Sequence, residues 1–294
     1  MSSEKKPDFM VIALIGGFFL LIFLLLIARS PYGAQIHAVG STLSGIPAQE
    51  KPRNDNPFGR RTPPDFEKKT AAIKGISGLR NYTYYWFAPD LDGAPDDLSL
   101  PLVLVLHGGT GMSYAAGFLT EEKNRLAFPA FILTPMLSRG RLWAYPQDRN
   151  RQPPPNRFGL ADIVRLIDML ADQHPIDRSR IYVIGCSDGG TGAFGAVRFF
   201  PDIFAGAVAL SGHWHPPDAP NMTSVPLLAV HGVLDTVIAP ENAEDTVTLI
   251  RSYGGRNAHY IEIPYMSHNC PSSELYQPLV WEWLFQQRKN RAAP

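Results

Sequence analysis

The sequence predicts an α/β fold, a mostly parallel sheet covered by helices on both faces. Apolar runs recur without polar alternation, as in "PLVLVLHGG" from Pro101 to Gly109, which suits strands buried from above and below. Between these runs lie segments of about ten residues or more with apolar positions at helical spacing. Residues capable of chemistry gather just after the runs, where ligands bind in open parallel sheets.

Taken in order, "RNYTYYWFAP" (Arg80 to Pro89) has the aromatic and β-branched content of a strand, and the turn-rich "DLDGAPDDLSL" follows it. "PLVLVLHGG" is the next strand. Further strands are expected at Phe128 to Pro135, Arg180 to Gly185, Ala205 to Gly212, Val225 to Gly232 and His259 to Pro264. The helical segments are "FGLADIVRLIDMLADQH", "TGAFGAVRFF", "PENAEDTVTLIRSYG" and "ELYQPLVWEWLFQQR". In the first of these, Leu160, Ile163, Val164, Ile167 and Leu170 share one face. Strands alternating with such helices make one domain, about residues 75–290.

The preceding chain has a different character. Residues 29–74 are rich in proline, asparagine and charge and read as a tether. The stretch from Phe9 to Ala28 contains no charged residue, and about twenty apolar residues can span a bilayer as a helix. Lys5 and Lys6 lie before it, so the expected topology is a short cytoplasmic tail at 1–8, a signal-anchor helix at 9–28 and the folded part on the non-cytoplasmic side. Cleavage of this segment, releasing a soluble exported protein, is the alternative. Lys plus Arg and Asp plus Glu both number 27, so no net field gathers nucleic acid, and the basic "QQRKNR" reads as the solvated end of a helix. Nothing in the sequence indicates an oligomeric state.

Ser187 stands in Gly185-Cys186-Ser187-Asp188-Gly189, a G-x-S-x-G pattern joining an expected strand to an expected helix. A serine at such a sharp junction exposes its hydroxyl, while small flanking residues leave room for the bend. A serine hydroxyl attacks carbonyls poorly unless a base takes its proton and a third group orients the base. Asp235 follows the strand ending in His231-Gly232, and His268 follows the last strand, giving the chain order Ser, Asp, His. His107 and His231 precede glycines instead, and Asp202 and Glu241 have local roles at a turn and in a helix's first turn. His213 and His215 flank Trp214 as possible substrate contacts. Donors for a developing oxyanion are expected from the backbone of Asp188 and of either Gly109 or Thr110 in "HGGTG". Neither glycine cluster has dinucleotide or P-loop spacing, and no third ligand makes "HWH" a metal site, so no cofactor or metal is implied.

These segments resemble the α/β-hydrolase fold, and in particular bacterial esterases related to polyhydroxybutyrate depolymerases and feruloyl esterases. "VLHGG", "DRSRIYVIGCSDGG", "FPDIFAGAVALSG", "HGVLDTVIAP" and "HNC" before "WEWL" carry the likeness over residues 80–288. The resemblance implies Ser187 as nucleophile, His268 as general base, Asp235 as its orienter and the His107 to Thr110 loop as part of the oxyanion hole. Many depolymerase relatives carry a hydrophobic residue where this chain has Cys186. In feruloyl esterase and tannase relatives, a cysteine before the serine is bridged to one directly after the catalytic histidine. The resemblance therefore implies a bridge from Cys186 to Cys270, although Asn269 stands between His268 and Cys270. Two unpaired thiols are the alternative.

The expected function is hydrolysis of a small or polymeric carboxylic ester through an acyl-enzyme, of feruloyl or short-chain polyester type. Trp143, Tyr145 and Trp214 are the candidate substrate contacts. A serine peptidase could use the same three residues, and a non-catalytic, membrane-tethered binding protein would show a misaligned Ser187–His268 pair.

Overall fold

The structure, a computed structural model, describes residues 65–75, 78–111, 113–138, 141–145, 159–270 and 272–289. Its strands are β1 (Glu67–Gly75), β2 (Gly78–Phe87), β3 (Leu100–Leu106), β4 (Phe131–Pro135), β5 (Ile176–Cys186), β6 (Gly206–Leu210), β7 (Leu227–Gly232) and β8 (Ala258–Ile263). They form one sheet in the order β1-β2-β4-β3-β5-β6-β7-β8. β1 and β2 pair antiparallel, β2 joins β4 antiparallel, and every later pairing is parallel. The helices are α1 (Tyr114–Thr120), α2 (Glu122–Ala127), α3 (Leu160–Gln173), α4 (Asp188–Phe199), α5 (Glu241–Ser252) and α6 (Pro278–Phe285).

The continuous apolar runs have the predicted cause. Successive side chains of a strand point to opposite faces, so a strand covered on both sides must be apolar at every position. β3 sends Leu102, Leu104 and Leu106 into one cluster with α3, α4 and α5, and Val103 and Val105 into another with α1 and α6. β5 divides likewise, with Ile181 and Val183 on the first side and Tyr182, Ile184 and Cys186 on the second. All seven residues of β3 are buried. The two layers place β5 between β3 and β6 at the middle of the sheet.

Several expectations change. β1 starts at Glu67, inside the stretch read as a tether; as an edge strand it buries only Ile73 fully, which leaves little apolar pattern to read. α1 and α2 occupy a segment for which no helix was expected, and at seven and six residues each is too short to show a period. The membrane anchor is corrected. Among the described residues no helix is long and apolar enough to cross a membrane, and the expected span at 9–28 lies outside those residues. The membrane partner and the anchored location that depended on that span are withdrawn with it.

Candidate active site

The turn from β5 into α4 is built by close backbone contact. A Cβ on Gly185 would lie 2.3 Å from the Gly189 carbonyl oxygen, and one on Gly189 would lie 2.2 Å from the Leu106 carbonyl oxygen. Only glycine fits at these two positions. Ser187 between them has φ 60° and ψ −122°, a conformation that costs an L-residue roughly 1–3 kcal/mol. It is held there by its N–H, which donates to Leu210 at 2.9 Å, and by Thr191 N–H, which donates to its carbonyl at 3.0 Å.

Ser187 Oγ lies 2.9 Å from His268 Nε2, and His268 Nδ1 lies 2.7 Å from Asp235 Oδ2. With Nδ1–H donating to the carboxylate, Nε2 is left to accept the serine proton. The three residues come from the ends of β5, β7 and β8, as the chain order predicted. Asp235 is buried, and its two oxygens accept four donors. Val237 and Ile238 N–H each reach Oδ1 at 2.9 Å, while His268 Nδ1 and His231 Nε2, the latter at 3.0 Å, share Oδ2. Burial alone would raise the Asp235 pKa, but the Ile238 N–H, His268 and the Val237 N–H overcome it and hold the carboxyl below its ordinary value. The misaligned pair expected of a non-catalytic protein is not what these distances describe.

Above the serine, residues 108–111 form a tight turn closed by Gly111 N–H to Gly108 O at 3.0 Å. Gly108 is the close approach: a Cβ there would lie 3.1 Å from the Cys186 carbonyl and 3.3 Å from Ser187 Cβ. Gly109 and Thr110, at the turn's exposed tip, have no backbone acceptor among the described residues. Asp188, the first residue of α4, likewise leads with an N–H that the helix does not use. His107 supports this turn from beneath. Its Nε2 accepts the Leu137 N–H at 3.1 Å, so Nδ1 carries the proton and donates to Gly108 O at 2.7 Å. Burial lowers the His107 pKa despite that bond, which keeps the ring neutral.

Two aromatic assignments are corrected. Trp143 is 0% exposed, and its indole N–H donates to the His107 carbonyl at 2.8 Å, so it anchors the chain leading into the 108–111 turn rather than facing a cleft. Trp214 is 1% exposed, packs against Phe199 and donates to Asp218 at 3.1 Å. Tyr145 remains half-buried. His213 Nδ1 lies 3.2 Å from Thr191 Oγ1. Sequence reasoning missed the roles of His107 and His231 and a further feature, the Asp188 side chain. Burial raises the Asp188 carboxyl to about 6 although the Trp143 backbone N–H donates to it. The spacing in "HGVLD" was the available signal for His231, since a turn brings residues four apart together.

Cys186 and Cys270 are bonded, with their Cα atoms 5.8 Å apart. The extra residue between His268 and Cys270 is accommodated in the loop after β8, and the bridge ties the serine and histidine loops directly.

Residues 139–216 match the model of the prolyl oligopeptidase family. The chain is 26% identical over 194 residues to poly(3-hydroxyalkanoate) depolymerase C of Paucimonas lemoignei, an overlap of 53% of this chain and 45% of that protein. A thermostable esterase superposes with a TM-score of 0.66 at 24% identity, over 76% of this chain and 64% of the other. A feruloyl esterase module from Clostridium thermocellum, solved with sinapinate, gives a TM-score of 0.56 at 13% identity, over 84% and 97% of the two chains. The fold is the α/β-hydrolase fold, and the chain resembles depolymerase and feruloyl-esterase relatives as expected. It spans less than half the length of the depolymerase it matches.

Proposed function

We propose that the chain is a serine hydrolase that cleaves carboxylic esters through an acyl-enzyme intermediate. The observation that carries this reading is the unbroken relay from Asp235 through His268 to Ser187, at 2.7 and 2.9 Å, on a turn that forces the serine into a left-handed conformation. Ser187 Oγ attacks the ester carbonyl carbon as its proton passes to His268 Nε2. The carbonyl oxygen, now negative, faces the Asp188 N–H and an N–H of Gly109 or Thr110. Collapse breaks the bond to the alcohol oxygen, which leaves with the proton from His268. Water then repeats the sequence on the acyl-serine and releases the acid.

A short-chain polyester or an aromatic acyl ester is the substrate class in this reading, supported by the likeness to a polyhydroxyalkanoate depolymerase and a feruloyl esterase module. The half-buried Tyr145 is the candidate acyl contact in this reading. The test is a panel of p-nitrophenyl and feruloyl esters of varied acyl length, with soluble hydroxybutyrate oligomers. Turnover of one class with covalent labelling of Ser187 by a fluorophosphonate is expected; no ester turnover and no label would reject the proposal. The family-model match over 139–216 favours a second reading, a serine peptidase. Aminoacyl p-nitroanilides cleaved faster than the matching esters would support it.

A further inference from the structure

His231 is the next-to-last residue of β7, four residues before Asp235, and is 1% exposed. Its Nε2 lies 3.0 Å from Asp235 Oδ2 and 3.0 Å from the Ile238 carbonyl oxygen. Both neighbours are acceptors, since an ionised carboxylate and a carbonyl have no proton to give. Nε2 therefore carries a proton and directs it into a fork between two oxygens. His268 Nδ1 reaches the same carboxylate oxygen at 2.7 Å. A single atom, Asp235 Oδ2, is thus divided between two imidazole donors.

We infer that His231 is a positioning residue: by donating Nε2–H to Asp235 Oδ2 it keeps the carboxylate in line with His268 and limits how strongly that carboxylate draws the His268 proton. The inference rests on the proposed roles of Ser187, His268 and Asp235. Its geometry is tighter than packing requires. The Val237 and Ile238 amides hold only Oδ1, so without His231 the oxygen that serves His268 would have no other donor among the described residues. The titratable groups that interact with His231 are Asp235 and His213, with His268 across the carboxylate. His213 is engaged with Thr191 instead of Asp235, and burial followed by the neighbouring His231 lowers its pKa. It does not replace the missing donor.

The sign of the effect follows from competition. Removing the His231 donor leaves more of the charge on Oδ2 available to His268. The protonated form of His268 is then favoured, so the acid limb of kcat/KM, which reports loss of the free base, moves to higher pH. The carboxylate also loses an anchor, so kcat falls. A residue that merely filled space would lower stability and leave the limb where it was.

The experiment uses the full chain with p-nitrophenyl butyrate, measuring kcat and KM across the acid limb for wild type, His231→Met and His231→Gln. Gln places an amide donor near the lost Nε2, whereas Met fills the space without one. His231→Met should lower kcat/KM by roughly tenfold through kcat, as expected for a lost bond to a charged group, and raise the limb by roughly half a pH unit. His231→Gln should recover both. Wild-type rate and limb in His231→Met, or equal impairment in the two variants, would overturn the inference. Nitrogen-15 NMR of histidine-labelled wild-type protein tests the donor directly, even if neither variant folds: Nε2 of His231 should be protonated, and a bare Nε2 would overturn it. Ser187→Ala is run beside these. Retained turnover there would defeat the proposed function itself, a result distinct from failure of the His231 variants.

Discussion

The serine and the histidine of the candidate site touch, yet they are held by different means. Ser187 follows β5, whose neighbours β3 and β6 pair with it on both sides, and its turn is clamped between backbone atoms at Gly185 and Gly189. Its position is a property of the sheet. His268 follows β8, the six-residue strand at the sheet's edge, where only Ala258 is fully buried. The loop carrying it is secured by cross-connections: Leu234 N–H to Met266 O at 3.0 Å, the imidazole bond to Asp235, and the bridge from Cys270 to Cys186. A central strand needs no further support to present a residue, whereas an edge strand needs ties that reach back to the centre.

The largest expected effect breaks the comparison at the point of contact. Ser187→Ala and His268→Ala should each reduce ester turnover by more than about a thousandfold with the fold retained, because a nucleophile and its base act as one unit. Turnover by His268→Ala within tenfold of wild type, measured on purified protein with unchanged circular dichroism, would remove the histidine from the reaction. Next is the serine side. Gly189→Ala drives a methyl group to 2.2 Å from the Leu106 carbonyl, so it should cost about 3 kcal/mol or more of stability and abolish turnover, in oxidising and reducing buffer alike. Denaturant melts of the variant in both buffers check this.

The histidine side should respond in the opposite way to redox conditions. Reduction, or Cys270→Ala, should lower turnover by roughly a hundredfold as the histidine drifts from the serine, and should cost about 2–4 kcal/mol. The two losses should appear at the same reductant concentration when activity and non-reducing mass spectra are followed together; full activity with both thiols free would show that the bridge does not position His268. The smallest effect sits at the start of α4. The Asp188 carboxyl is raised to about 6 in the folded chain and is near 3.8 when unfolded, so the folded state holds its proton more tightly. Stability from this group is complete below about pH 4 and is lost as pH rises through about 6. After allowance for its partial exposure, Asp188→Asn should remove about 1–2 kcal/mol of that pH-dependent loss. Melts at the two ends of this range provide the measurement.

Burial on two faces made the central strands readable, because β3, β6, β7 and the Ile181–Cys186 half of β5 have no solvent side to interrupt their apolar runs. The same reasoning explains what was not legible. In β1 the pattern is mostly exposed, and its lysines and threonine resemble a linker until the partner strand is known. Ser187, Asp235 and His268 were legible because each follows a recognisable strand in a defined order. Trp143 and Trp214 follow strands too, but an indole near a strand end can line a cleft or wedge beneath a loop, and composition does not distinguish the two. Both are wedges here. The second donor on Asp235 depends on a turn's three-dimensional path from His231, which spacing alone suggests without fixing.

The bridge also draws a boundary through the chain. Cys186 and Cys270 stand just outside Ser187 and His268, at a sequence separation of 84, so Ser187, Asp235 and His268 all lie within a single covalent ring. β6, β7 and β8 belong to the ring, while β3 and the 108–111 turn lie outside it. One proteolytic nick anywhere between residues 187 and 269 therefore leaves every member of the relay attached to the same molecule. A nick between residues 111 and 186 separates the 108–111 turn from Ser187, Asp235 and His268 covalently, and only the packed sheet then keeps the two parts of the candidate site together.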